Sequence, residues 1–297
     1  MKEFIGKIVS VLKNRSKAIF KTRFRRRILK RQDVYWKKST DSNKIYQKLY
    51  ASDSMSQWKN MDNWQRRLEN KLNAKEFAAK MGCKVARLYW NGKFEDFKLL
   101  DFNKLPATYV LKPISDYSSR NVYVMSDGYN LLTGKKYIDV NELKSEIHEL
   151  YSSRPDLEMM IEEFIPQEAG NFEVANDYKF YMFNGNLAFI KMDEREGKAY
   201  EKVTFYDSNW NLFTKKILTF ANVETPSKPP QHLEEMIRDA KKLSLAYENF
   251  VRIDFYDSPD GPVFGEFTPT PRGGVSFTPY GSKLLISYWE RYCKGMI

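Results

Sequence analysis

The sequence predicts an α+β fold built on antiparallel sheets, preceded by a helical N-terminal region. Two successive blocks each pass from helix-spaced apolar residues into paired runs of β-branched and aromatic residues. Turn signals join the runs of the later block: Asn184-Gly185-Asn186 in one hairpin and Ser258-Pro259-Asp260-Gly261 in the next. Neither a G-x-G-x-x-G fingerprint nor a Walker A run occurs, which argues against a doubly wound nucleotide-binding sheet.

Hydrophobic residues fill 42% of the 297 positions and aromatics 15%, enough for real cores and too many for a disordered chain. At roughly 150 residues per domain, the length fits about two compact units. Cys83 and Cys293 are too few for a disulfide framework or a zinc cage, and read as packing residues in a reducing compartment. The net charge of +11 suggests nucleic acid until it is located. Residues 1–31 carry twelve Lys/Arg against Glu3 alone, so the whole excess sits in this arm and the rest is neutral. A nucleic-acid groove in the body is therefore disfavoured. In the arm, Phe4, Ile5, Ile8, Val9, Val11, Leu12, Ile19, Phe20, Phe24 and Ile28 recur at helical spacings. A basic amphipathic helix can lie on an anionic membrane, each Lys/Arg contributing about 1 kcal/mol, or pack on the body or a partner. No apolar run approaches the roughly 20 residues of a span, and no cleavable signal follows the start. The expected location is cytoplasmic, peripheral on the inner face of the plasma membrane.

Past the arm, Asp53 to Met81 is free of Gly and Pro and predicts one or two helices ending at Gly82. Lys84 to Tyr89 predicts a short strand, and Phe94 to Leu105 a helix or loop, closing an N-terminal α/β region over 32–105. Ala107 to Lys112 and Asn121 to Met125 then predict two antiparallel strands around a polar loop, with a helix from Val140 to Ser152. Met159 to Ile165, Tyr178 to Phe183 and Leu187 to Met192 predict further strands. A surface connection over Asn222 to Gln231 leads to a helix from Leu233 to Tyr247, with Leu233, Met236, Ile237, Ala240, Leu243 and Leu245 as its apolar positions. Val251 to Tyr256 and Val263 to Thr268 form the last hairpin.

That hairpin carries the strongest chemical signal. Side chains alternate along a strand, so Arg252, Asp254 and Tyr256 share one face. With Pro262 in the loop and residue 257 opposite 263, Asp254 falls opposite Glu266 and Arg252 opposite Thr268. Two facing carboxylates with an oxygen donor beside them suit a hard divalent ion such as Mg²⁺, completed by phosphate oxygens and water. The same residues also make a structural ion cluster on a sheet surface.

The run VRIDFYDSPDGPVFGEFTPTPRGG resembles the metal-binding hairpin of ATP-grasp enzymes. The ordered series IEEFIP, DYKFYMFNGN, LEEMIRDAKKLS, VRIDFY and FGEFT is similar to the TupA-like branch, over roughly residues 60–285. This branch is associated with teichuronopeptide and other cell-envelope glycan synthesis. The resemblance implies an ATP-grasp fold: a lid over 106–160 and a catalytic subdomain over 161–297 clasp ATP between two antiparallel sheets. It implies that Lys112, and also Lys75, reach the ATP phosphates. Glu162, Glu163, Phe164 and Ile165 would form the hinge that reads adenine and holds the ribose. Asp177 and Lys179 would line the nucleotide pocket. Asp254, Glu266 and Thr268 would hold magnesium, Thr268 standing where many ATP-grasp enzymes have Asn. Arg252, Arg272 and Lys179 would serve the reacting phosphate or acyl group. The lid loop PISDYSSRN lacks glycine, so its backbone N–H groups would cradle a phosphate less closely, with Ser118, Ser119 and Arg120 able to substitute by side chain.

The activity implied is ATP- and Mg-dependent carboxylate–amine ligation through an acyl phosphate, joining a uronic acid to an amino acid or amine. The alternatives are phosphorylation of a glycan hydroxyl on the same fold, and a non-catalytic ATP- or glycan-binding module held at the membrane by its arm. Taken singly, Lys112 also reads as an edge-strand charge, Glu162-Glu163 as a solvated pair and DYK as a surface turn. His148 and His232 have no partner at metal-ligand spacing.

Overall fold

The computed structural model describes residues 49, 51–61, 63–115, 121–170, 173–196, 199–221, 225–274 and 276–293. The basic arm and Ser118, Ser119 and Arg120 lie outside the described residues. Three short helices come first, α1 (Met55–Lys59), α2 (Trp64–Arg67) and α3 (Lys71–Lys80), where the sequence suggests one or two. Asn70 caps α3 by accepting from the backbone N–H groups of Leu72 and Asn73. At its other end Gly82, at φ +73°, closes a Schellman turn, with Cys83 N–H donating to Ala78 and Gly82 N–H to Ala79.

The first sheet has six strands in the order β1-β6-β2-β3-β4-β5. These are β1 (Leu88–Lys93), β2 (Thr108–Pro113), β3 (Tyr123–Ser126), β4 (Tyr129–Asn130), β5 (Lys135–Lys136) and β6 (Glu158–Glu162). The strand expected at 84–89 thus starts at Leu88, and only Val85 makes an isolated bridge, to Phe264. Because β1 pairs with β6, the sheet draws on chain from both sides of residue 106. The predicted β2–β3 pair is antiparallel, with Val110 opposite Val124. One face is covered by the one-turn helix α4 (Phe94–Phe97) and by α5 (Val140–Tyr151), whose Leu143, Ile147 and Tyr151 are buried at helical spacing. The segment read as helix or loop thus becomes α4 plus a 3-10 turn at Phe102–Lys104.

The second sheet has the order β11-β10-β7-β8-β9. Its strands are β7 (Asp177–Phe183), β8 (Asn186–Glu196), β9 (Ala199–Tyr206), β10 (Phe250–Ser258) and β11 (Gly261–Thr268). Asn184 (φ 44°) and Gly185 (φ 81°) form the turn between β7 and β8, as the Asn-Gly signal predicts. Every residue of β7 is buried, because both faces of this sheet are covered. Tyr178, Phe180 and Met182 point into one core with Val251, Ile253 and Phe255. That core is closed by α6 (Leu233–Tyr247) and by Trp58, Trp64 and Phe77 of the first helices. Met236, Ala240, Leu243 and Tyr247 form the buried stripe of α6, whereas Leu245 is 58% exposed and lies off it. On the opposite face one end is apolar, with Tyr181, Phe183, Phe189 and Phe250 under α7 (Pro279–Tyr292). The other end is charged and forms the floor of a cleft between the two sheets.

α3 touches both halves. Leu72 packs on Ile114 and Met160 of the first sheet region, while the Phe77 ring meets Phe267 edge-on at 5.5 Å. Among the described residues no helix is long and apolar enough to cross a membrane.

Candidate active site

The cleft measures about 1190 Å³. It is lined by every site residue proposed from the sequence except Ser118, Ser119 and Arg120, which lie outside the described residues. One wall is built from β2, β6 and α3. Lys112 alternates with the buried Leu111 and Pro113 on β2, so its side chain points away from the lid core and into the cleft. Its ammonium donates to Glu162 Oε1, and Lys75 Nζ lies 2.7 Å from Glu162 Oε2. Lys75 also donates to the Ala86 carbonyl at 3.2 Å. Burial would raise the Glu162 carboxyl, but Lys112 and Lys75 outweigh it and hold the group at about 2. Burial draws Lys75 below the usual lysine value despite Glu162. Glu162 thus fixes two ammonium groups side by side. Glu163 instead faces β1, its Oε2 accepting from Arg87 N–H at 3.0 Å while its own N–H donates to the Arg87 carbonyl. Phe164 and Ile165 follow at the passage between the sheets and line the cleft.

The floor is built from the charged faces of β7, β8, β10 and β11. Asp254 stands opposite Glu266 and Arg252 opposite Thr268. The expected pairs are present, but the reason differs from the expected one. Pro262 belongs to β11 and pairs with Asp257, and a bulge at Gly265 restores the register before Glu266. A Cβ at Gly265 would sit 3.1 Å from both the Asp254 carbonyl oxygen and the Tyr256 ring. This close approach calls for glycine.

Arg252 grips Asp254 with two hydrogen bonds of 2.6 Å, and its Nη2 also reaches Glu266 Oε1 at 2.8 Å. Thr268 Oγ1 donates to the same Glu266 oxygen at 3.1 Å. Burial pushes Asp254 up to about 6, against the pull of Arg252 and Lys179. Glu266 shows the reverse balance, because Arg252, Lys71, Lys179 and Lys112 overcome burial and lower it. Two carboxylate oxygens converging on one cationic nitrogen define a position suited to a hard cation, and Glu266 keeps its side chain 41% exposed to the cleft. No group of three or more His, Cys, Asp or Glu among the described residues forms a metal cage. An ion held here would complete its shell with phosphate oxygens and water, as Mg²⁺ does.

Lys179 lies 2.8 Å from Asp177, 3.1 Å from Asp193 and 3.8 Å from Asp254. Burial opposes its charge, but the three carboxylates raise its pKa. Arg272, at φ 53°, lines the cleft with its guanidinium 4.3 Å from the centre of the Phe220 ring. The sequence reading misses Lys191 and Asp193, which stand opposite Lys179 and Asp177 on β8. Counting back from the Asn-Gly turn places Ile190 opposite Lys179. A bulge at Ala188 shifts the register by one and turns Lys191 and Asp193 into the cleft.

The sequence profile of the family described as TupA-like ATPgrasp matches residues 51–284, and the chain belongs to that family. Similar solved structures include a D-alanine–D-alanine ligase from Bacillus anthracis complexed with ATP, at 15% identity over 78% of this chain and 68% of that one, TM-score 0.49. A RimK domain ATP-grasp protein from Sphaerobacter thermophilus aligns at 12% identity over 75% and 69%, TM-score 0.46. A D-alanine–D-alanine ligase from Helicobacter pylori aligns at 19% identity over 74% and 61%, TM-score 0.46. A search of curated proteins found no match.

Proposed function

We propose that this chain is an ATP- and Mg-dependent ligase that joins a carboxylate to an amine, with ADP as a product. The observation that carries the reading is the pairing, across one cleft, of two lysines fixed by Glu162 with the Asp254–Glu266 carboxylates on the opposite side. Lys112 and Lys75 would meet the triphosphate, and Asp254, Glu266 and Thr268 would hold magnesium, which supplies charge neutralisation at the phosphates when bound. For an ion to take that position Arg252 must release Glu266, which frees its guanidinium for a phosphate or acyl oxygen. Glu162 to Ile165 would receive adenine and ribose, with Asp177 and Lys179 deeper in the same pocket. The substrate carboxylate attacks the γ-phosphorus and ADP leaves; the amine then displaces phosphate from the acyl phosphate. Catalysis would be positioning and charge stabilisation, for which the site needs no nucleophilic side chain.

The family resemblance supports a uronic acid of an envelope or capsular glycan as the carboxylate and an amino acid or amine as the partner. The basic arm supports work at an anionic membrane surface. Mass spectrometry after incubation with Mg-ATP, uronic acids and amino acids tests the reading. An amide product that needs both substrates is expected. A stable phosphorylated sugar formed without amine would establish phosphotransfer instead, and nucleotide binding without turnover a non-catalytic module.

A further inference from the structure

The charged floor of the cleft is one alternating chain across four strands. Lys191 pairs with Asp193 Oδ1, and Asp193 Oδ2 lies 3.1 Å from Lys179. Lys179 reaches Asp254 at 3.8 Å, and Arg252 links Asp254 to Glu266. The two ends differ. Glu266 ends the chain at the proposed metal position. Lys191 ends it on β8, buried to 9% exposure yet lining the cleft. Among the described residues its only ion partner is Asp193, which it shares with Lys179. An ammonium has three donors and no acceptor, so a buried lysine with half a counter-ion leaves donors unanswered on the cleft side.

We propose that Lys191 is a specificity residue that receives a carboxylate of the substrate pair other than the one activated at Asp254 and Glu266. This rests on the ligase reading above. β8 is two strands from β10, or about 10 Å at the usual strand spacing, so a group held at Lys191 is distinct from the reacting one. The selected substrates are therefore acidic beyond the carboxyl group consumed. The groups facing Lys191 are Asp193 on its own strand, Lys179 on β7 and Arg252 on β10, with Phe205 opposite on β9. Burial, helped by Lys179 and Arg252, outweighs Asp193 and draws Lys191 down to about 8. A carboxylate there is held best below that pH.

Isothermal titration of the full chain, saturated with Mg and a non-hydrolysable ATP analogue, tests this with L-glutamate and D-glucuronate as probes. Lys191→Met should weaken L-glutamate tenfold or more at pH 7 and leave D-glucuronate, which has no second carboxyl group, little changed; Lys191→Arg should restore most of the loss, and affinity for the analogue should stay within twofold. Wild-type probe binding should fall between pH 7 and pH 9, and that fall should vanish in Lys191→Met. Loss confined to L-glutamate places the anchored group on the amine donor; loss confined to D-glucuronate, whose single carboxyl group is the one activated, overturns the proposal. Unchanged probe binding in Lys191→Met, no probe binding by the wild type, or equal weakening of the analogue each overturns the proposal, the last assigning Lys191 to the triphosphate. Lys191-dependent binding without any amide product would sink the ligase reading alone.

Discussion

At Asp254 the interior already resists the charge it holds, since burial raises the carboxyl to about 6 despite Arg252 and Lys179. Asp254→Asn should therefore leave the melting temperature within a few degrees of wild type while abolishing Mg-dependent nucleotide turnover; a large loss of stability would show a mainly structural ion cluster. Glu162 is the opposite case. Its carboxyl is held at about 2, below the ordinary 4.5, so its contribution is complete above about 4.5 and is lost as pH falls toward 2. Glu162→Gln strands two buried ammonium groups and should cost about 3 kcal/mol at neutral pH. Thermal melts should show that deficit shrinking below about pH 4.5, because the protonated wild type then resembles the variant. Asp254 and Glu266 were legible as partners because a hairpin and its alternation can be counted from sequence, with a one-residue offset at Pro262 cancelled by the bulge at Gly265. The role of Glu162 as a clamp on Lys75 and Lys112 was not, because it depends on α3 meeting β6 across a wide gap in sequence.

Among the elements, hairpins advertise themselves through turn residues while bulges do not. The Asn184-Gly185 turn and the β10–β11 pair were readable, but the extra residues at Ala188 and Gly265 were silent. At Gly265 the silence was harmless, since an early register error and the bulge cancel. At Ala188 it hid Lys191 and Asp193. β9 and α7 lie outside the predicted elements, although Thr278 followed by Pro279 is a helix-start signal for α7. Gly265 is the sharper test. In Gly265→Val the added side chain meets the Asp254 carbonyl and the Tyr256 ring, so the bulge must move and Glu266 loses its alignment with Asp254. A loss of about 1–3 kcal/mol is expected from the strain, with Mn²⁺ affinity in the presence of nucleotide falling at least tenfold. Unchanged affinity in a folded variant would separate the bulge from the metal position.

For the whole molecule, the charge distribution separates two functions along the chain. Removing residues 1–31 takes away all of the net charge of +11 and none of the cleft. ATP-dependent activity should survive, whereas co-sedimentation with anionic vesicles should collapse, and that of the intact chain should weaken with salt as charges are screened over about 8–10 Å. Equal co-sedimentation of both forms would end the membrane reading of the arm. Loss of fold would instead mark the arm as part of the body.

The packing of α1, α2 and α3 against β11 and α6 also sets an order of events during synthesis. Each sheet takes its strands from one continuous stretch, β1 to β6 and then β7 to β11, so each can assemble as it leaves the ribosome. The first helices have no such freedom. Trp64 meets Tyr247 and Phe77 meets Phe267 only after roughly 180–190 further residues have been made. At 5–20 residues per second that wait lasts on the order of ten seconds or more. For that interval Trp58, Trp64 and Phe77 have only one another to pack on, and they are where a chaperone would have the most to hold.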